Sequence, residues 1–309
     1  MNGTFPRMQP RLTGIVVHWR NEEPLAELTS AWPRDPRFEL IVVDNGSSEP
    51  LALGPARLVE PGRNLGFAGG ANAGAAEAKG EIFLILNPDA VPEPGALDRL
   101  LEGFDAHPEA AGLAPRLVGT DGRSQAGWQL RRLPSPWSLL LQAFPLVGDP
   151  ETRPEPPAGS PVEQPAAAAL ALRRTVFEAI GGFDTGFYPA WFEDVDLAAR
   201  LKQAGHVLLY WPAATFRHGL GSTVPRLGYG RFLWIYYRNL TRYLRRHHGP
   251  LWSLAARVAL VPGMLIRLLL LPLYRPRRAA SRSEALRGLL AVLAGTLTGW
   301  KRPRWMETA

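Results

Sequence analysis

The stretch Glu81-Ile82-Phe83-Leu84-Ile85-Leu86-Asn87-Pro88-Asp89 decides the fold. Its run of large apolar residues leaves no solvated face, so a strand buried on both sides is expected. Such strands belong to parallel sheets covered by helices. The strand ends in a polar turn that carries a carboxylate, and open α/β sheets bind ligands at the carboxyl ends of their strands. Outward from it, Leu12–His18 and 39–43 repeat the apolar pattern, the second run ending at Asp44, and 56–59 is a shorter candidate. An Ala-rich helix is expected over 68–79, stopped by Gly80, and another over 94–107 with proline in its first turn. This alternation up to about residue 115 predicts an α/β fold, a mostly parallel sheet flanked by helices.

Farther along, a hairpin is expected around Thr120-Asp121-Gly122. Residues 134–165 are rich in proline and glycine and read as a long excursion or mobile loop, with a disordered insertion as the alternative. Regular structure resumes at 166–173. Trp191-Phe192-Glu193-Asp194-Val195-Asp196-Leu197 then opens a helix over 193–204, stopped by Gly205. A strand over 207–211 follows, and Phe216-Arg217-His218-Gly219 closes the domain. The expected division is a catalytic domain over 1–225 and a basic, apolar helical region over 226–309.

The chain has 309 residues, 46% of them hydrophobic, enough for a substantial core. It lacks cysteine, which excludes disulfides, thiolate zinc sites and thiol nucleophiles. No Gly-x-Ser-x-Gly elbow is present, which weakens a hydrolase reading. Residues 1–11 are polar and have no apolar core, so no secretory signal is expected. The net charge is +7, with arginines concentrated after residue 220, a pattern suited to an anionic partner.

Residues 251–274 are long enough to span a bilayer. Arg257 and Arg267 interrupt the run, as do Pro262 and Pro272, and both flanks are basic (Arg242, Arg245 and Arg246 before; Arg275, Arg277 and Arg278 after). Helices lying in the membrane interface are therefore expected in preference to a span, with an ordinary helical subdomain or oligomer interface as the alternative.

Several strand-end groups could carry chemistry. Asp44, before Asn45-Gly46-Ser47-Ser48, could accept hydrogen bonds from a base or ribose, or merely close an Asx-turn. The Gly-rich run Asn64-Leu65-Gly66-Phe67-Ala68-Gly69-Gly70-Ala71-Asn72 could approach a phosphate, or serve tight helix–sheet packing. It matches neither the dinucleotide fingerprint nor a Walker loop. Asp89 suits a hard divalent cation shared with substrate phosphates. His218 could add a nitrogen ligand, and Gly219 and Gly221-Ser222 leave room for a phosphate; a plain surface histidine is the alternative. Asp194, beside Glu193 at a helix start, could act as a general base, or the acids could simply cap the helix. Trp191 and Phe192 could wall a sugar site.

Taken together, the order of these motifs resembles the inverting family 2 glycosyltransferases of GT-A fold, the rhamnosyltransferase-like branch above all. The matching stretches are Ile15-Val16-Val17-His18-Trp19-Arg20-Asn21, Val42 to Ser48, Asn64 to Asn72, Leu86-Asn87-Pro88-Asp89-Ala90, Gly181-Gly182-Phe183-Asp184 and Phe192 to Leu197. The resemblance implies a nucleotide-sugar donor, a UDP- or dTDP-sugar, bound through His18, Trp19, Asp44, Asn64, Gly66, Asn72, Asn87 and Trp191. It implies Mg²⁺ or Mn²⁺ on Asp89 and His218, and catalysis by Asp194 with Glu193 beside it. The family's D-x-D position reads Asn-Pro-Asp here, and Ala71 stands where many relatives carry arginine. The implied acceptor is a hydroxyl of a glycan or polyprenyl-linked sugar in cell-surface polysaccharide or glycolipid synthesis. Peripheral attachment to the cytoplasmic face of the inner membrane follows, with no nucleic-acid partner and a homo-oligomer left open. A nucleotidyltransferase and a non-enzymatic membrane-binding scaffold are the competing readings. The nucleotidyltransferase would typically carry a Gly-rich basic loop where His18-Trp19-Arg20-Asn21 stands.

Overall fold

The computed structural model describes residues 9–20, 22–47, 50–51, 53–145, 154–219, 227–273, 275–276 and 278–301. They fall into two compact units. The first comprises the described residues of Met1–Arg132, Glu151–Gly186 and Glu193–Gly219. The second comprises those of Leu133–Pro150, Phe187–Phe192 and Leu220–Ala309.

The first unit begins β1 (Leu12–His18), α1 (Glu22–Ala31), β2 (Phe38–Asp44), β3 (Arg57–Val59), α2 (Gly66–Glu77), β4 (Ile82–Leu86), β5 (Ala90–Pro92), α3 (Ala96–Ala106) and β6 (Ala110–Val118). The chain continues with α4 (Ala126–Gln129) and β7 (Leu130–Arg131), then with α5 (Pro136–Leu141) of the second unit. Back in the first unit come β8 (Pro161–Val162), β9 (Gln164–Pro165), β10 (Ala169–Arg173), α6 (Arg174–Ala179), α7 (Glu193–Gln203) and β11 (Val207–His218). The main sheet runs β3-β2-β1-β4-β10-β6-β11-β5, with β8 on β11. Strands β3, β2, β1 and β4 are parallel, and β10 is antiparallel to both its neighbours.

Alternation along β1 feeds two cores. Val16 packs with Leu28 of α1 and Leu100 of α3, whereas Ile15 and Val17 pack with Ala71 of α2 and Leu197 of α7. The helix over the second face lies very close. A Cβ on Gly74 would sit 2.5 Å from Ile15 and 2.9 Å from Val43, and one on Gly70 would sit 2.7 Å from Val17. Both neighbours are stiff β-branched side chains in the core, so the glycines of this run serve helix–sheet contact.

Three elements depart from the sequence reading. The turn at Thr120-Asp121-Gly122 forms, with Gly119 N–H donating to the Arg123 carbonyl at 2.8 Å, but only a single bridge flanks it. The described part of 134–165 is ordered rather than a loose excursion. Its prolines occupy a helix start at Pro136 and short strands at Pro161 and Pro165, positions where a missing N–H is tolerated. The last strand extends past residue 211 to His218, because an irregularity between Trp211 and Thr215 re-registers it on β6. That shift pairs His218 with Ala90, next to Asp89.

The second unit is built on α8 (Tyr229–His247), α9 (Pro250–Leu270) and α10 (Arg282–Thr298), which pack pairwise, with α5 against α9. The approach of α8 to α10 runs through Gly230 and Gly288. Among the described residues α9 is the one helix long and apolar enough to cross a membrane. Its arginines do not interrupt an outward apolar face. Arg257 donates to the Thr296 carbonyl of α10, and Arg267 to the carbonyls of Gln142 and Ala143 after α5. Leu251, Leu254, Val258, Leu265 and Leu269 stay exposed.

Candidate active site

The irregular end of β11 brings His218 against the turn after β4. Its Nε2 lies 3.5 Å from Asp89 Oδ1 and 3.5 Å from Asn87 Nδ2. The other face of the ring is fixed by Gln125, whose Nε2 donates to the His218 carbonyl at 2.9 Å while its Oε1 faces Nδ1 at 2.9 Å. An amide oxygen can only accept, so Nδ1 carries the proton and Nε2 presents a lone pair. Burial holds the imidazole below its ordinary range, against the opposing pull of Asp89. A neutral nitrogen lone pair and a carboxylate oxygen facing each other suit a divalent cation whose other ligands are phosphates and water. Among the described residues no group of three or more acidic, histidine or cysteine side chains could hold a metal. Gly221 and Ser222 lie outside the described residues.

Trp128 stacks on His218, centroids 5.3 Å apart at 27°. The guanidinium of Arg131 lies 5.9 Å from the centre of the Trp128 ring, and its Nη2 is 3.9 Å from Asp194 Oδ2. Thus Asp89 and Asp194, far apart in the chain, are linked through His218, Trp128 and Arg131. Asp194 rests on the small antiparallel sheet of β7 and β9, where Arg131 pairs with Gln164. The Gln164 amide donates to Asp194 Oδ2 at a long 3.4 Å. Beside it Glu193 is buried, and its Oε2 has no hydrogen-bond partner among the described residues. Burial pushes its carboxyl well above the usual carboxylate range, and the neighbouring Asp194 charge pushes it further. Asp196, two residues on, is fully buried and paired with Arg200 at 2.8 Å. Arg200 also holds the carbonyls of Ile180 and Gly182.

At the end of β2, Asp44 Oδ1 accepts from Gly46 N, Ser47 N and Ser47 Oγ, which is the Asx-turn the sequence left open. The next residue, Asn45, is buried. Its amide donates to the Gly66 carbonyl at 3.0 Å and accepts from Leu65 N at 3.1 Å, tying the start of α2 to β2. Asn64 Oδ1 accepts from Gly66 N. Asn72 exchanges two bonds of 2.9 Å with the backbone of Phe183, so it positions the Gly181-Gly182-Phe183 turn. His18 is fully buried, 3.8 Å from Glu22, and Trp19 carries Arg20 over its ring. Trp191 belongs to the second unit, where its ring packs edge-on to Phe232.

Asn45, Gln125, Trp128, Arg131, Gln164 and Arg200 were not singled out by sequence reasoning. The one local signal among them is Trp128-Gln129-Leu130-Arg131-Arg132, an aromatic–basic cluster between a strand and a proline-rich stretch.

Comparison with known proteins places the chain in a family and a fold. The chain is similar to the N-acetylglucosaminyl-diphospho-decaprenol L-rhamnosyltransferase of Mycobacterium tuberculosis, with 27% identity over 286 residues, 80% of this chain and 88% of the relative. It is also similar to the pre-mycofactocin glycosyltransferase of the same organism, with 29% identity over 59% of this chain and 37% of the relative. Among solved structures it resembles the mannosyltransferase PcManGT from Pyrobaculum calidifontis in complex with GDP-Man and Mn²⁺, with TM-score 0.54, 18% identity, and 95% and 89% of the two chains covered. GalNAc-T7 with UDP, GalNAc and Mn²⁺ follows, with TM-score 0.52, 14% identity, and 78% and 48% covered. These likenesses show the GT-A fold. The family model of glycosyl transferase family 2 matches residues 15–170, just over half of the chain, and the chain belongs to that family.

Proposed function

We propose that the chain transfers a hexosyl residue, rhamnose being the favoured one, from a UDP- or dTDP-sugar to a hydroxyl of a lipid-linked glycan, with inversion. The observation that carries this reading is the linkage of the Asp89–His218 pair to Asp194 through Trp128 and Arg131. Membership of the family removes the nucleotidyltransferase and scaffold readings.

In this reading the base and ribose lie at the ends of β1 and β2, near His18, Trp19 and Asp44, with the turn at Asn64 and Gly66 beside the donor. The diphosphate lies toward Asn87, Asp89 and His218. A divalent cation held by Asp89 and His218 would neutralise charge on the departing nucleoside diphosphate. Asp194 takes the proton of the acceptor hydroxyl as that oxygen bonds to the anomeric carbon. The bond from that carbon to the diphosphate oxygen breaks, and the nucleoside diphosphate leaves with the electron pair. One displacement inverts the anomeric centre, and no enzyme nucleophile takes part. Burial, and then the Asp194 charge, raise the Glu193 carboxyl above its usual range, which disfavours a second negative charge beside the base.

The catalytic part is proposed to end near residue 225, with the remainder resting on the cytoplasmic surface of a membrane. The exposed leucines of α9 and the exposed arginines Arg245 and Arg246 support this. The test incubates the full chain with a panel of nucleotide-sugars, Mn²⁺ or Mg²⁺, and an N-acetylglucosaminyl diphosphate lipid. Inverted product is expected, and hydrolysis of nucleoside triphosphates is not. Flotation with anionic vesicles at low salt checks the membrane, where a wholly unbound fraction counts against it.

A further inference from the structure

We infer that Arg131 binds a phosphate on the acceptor, so that the enzyme selects sugars whose anomeric carbon already carries phosphate or diphosphate. This deepens the glycosyltransferase reading and rests on it. A guanidinium has five N–H donors in a planar fork suited to phosphate. Arg131 makes no hydrogen bond with them among the described residues, and its Nε is shielded from solvent without a partner. Its neighbours are the Trp128 ring, 5.9 Å from the guanidinium, and Asp194 at 3.9 Å, too long for a hydrogen bond. The side chain is 39% exposed, so a ligand can reach it. A structural arginine of this fold looks different, for Arg200 is 14% exposed and donates to a carboxylate and two carbonyls.

Position chooses between the two phosphates in the reaction. The donor diphosphate has the Asp89–His218 pair, where His218 stacks on Trp128 at 5.3 Å. Arg131 lies instead beside the base. A hydroxyl on a sugar ring is separated from the anomeric phosphate of the same sugar by about the width of that ring. An acceptor with its hydroxyl on Asp194 therefore places its own phosphate within reach of Arg131. Pairing register adds support, because Arg131 sits opposite Gln164, and both side chains approach the same Asp194 oxygen.

The test measures binding of N-acetylglucosamine 1-phosphate and methyl N-acetylglucosaminide to the full chain in EDTA, where no metal offers phosphate a second site. The wild type is expected to prefer the phosphate. Arg131→Met should weaken that ligand roughly 10- to 100-fold, the loss of a charge-assisted pair, and leave the methyl glycoside unchanged. Arg131→Lys should keep part of the preference, and both variants should unfold at the wild-type midpoint. Equal binding of the two ligands by the wild type overturns the assignment. So does Arg131→Met weakening both alike, or weakening the nucleoside diphosphate instead. If the preference follows Arg131 but no sugar is transferred, the proposed reaction fails while the phosphate site stands.

Discussion

Two of the three acidic positions in the first turn of α7, Asp194 and Asp196, behave differently. Asp196 is sealed in the core on Arg200, which also ties down the turn at Ile180–Gly182. Asp194, two residues earlier, is 15% exposed and meets Gln164 and Arg131 only at 3.4 and 3.9 Å. The same contrast separates the larger regions. Around α2 the amides of Asn45, Asn64 and Asn72 are committed to backbone groups at 2.8–3.1 Å, whereas Asp194 Oδ1 accepts from Val195 N at 2.8 Å but Oδ2, between β7 and β9, has only the long contacts to Gln164 and Arg131. Satisfied polar groups build the frame, and under-satisfied ones mark where a reactant belongs.

The sharpest way to break this comparison is to exchange the roles. Asp194→Asn should lower the transfer rate about 100- to 10,000-fold, the usual contribution of a general base, with donor affinity and unfolding midpoint unchanged. Full activity in that variant removes the base assignment. Asp196→Ala should act in the opposite way. It leaves Arg200 buried without its carboxylate and should cost about 3–5 kcal/mol in urea unfolding. A loss below about 1 kcal/mol would show that the pair is not structural. Gly74→Ala tests the frame itself. Its Cβ would meet Ile15 and Val43, so a loss of about 1–3 kcal/mol is expected.

The smallest effect concerns Glu193. Its folded pKa is raised, so the native state holds a proton more tightly than the unfolded chain. That contribution is complete below the ordinary carboxylate value of 4.5 and is lost as pH rises toward the folded value. Glu193→Gln should therefore lose less stability than the wild type above pH 4.5, and parallel denaturation profiles for the two proteins would reject a buried acid here.

The strand-end acids were legible in the sequence because each is local. An apolar run, a turn and a carboxylate can be read in eight residues, and the matching family motifs have that length. Arg131 and Gln164 were not legible. They lie on two-residue strands whose pairing leaves no periodicity, and they meet only because the chain returns after more than thirty residues. His218 was named as a candidate, but its approach to Asp89 depends on the irregularity near Pro212, which no spacing rule forecasts. Asn72 shows what a motif does not reveal: its side chain exchanges two hydrogen bonds with the backbone of Phe183, more than a hundred residues on.

Arg257 reaches across to the Thr296 carbonyl from the middle of the longest apolar helix. A chain cut at residue 280 would lose that acceptor together with α10, leaving a bare cation and newly uncovered leucines. Lower soluble yield than the 309-residue chain is the expected outcome, so detergent or lipid nanodiscs offer the better starting point.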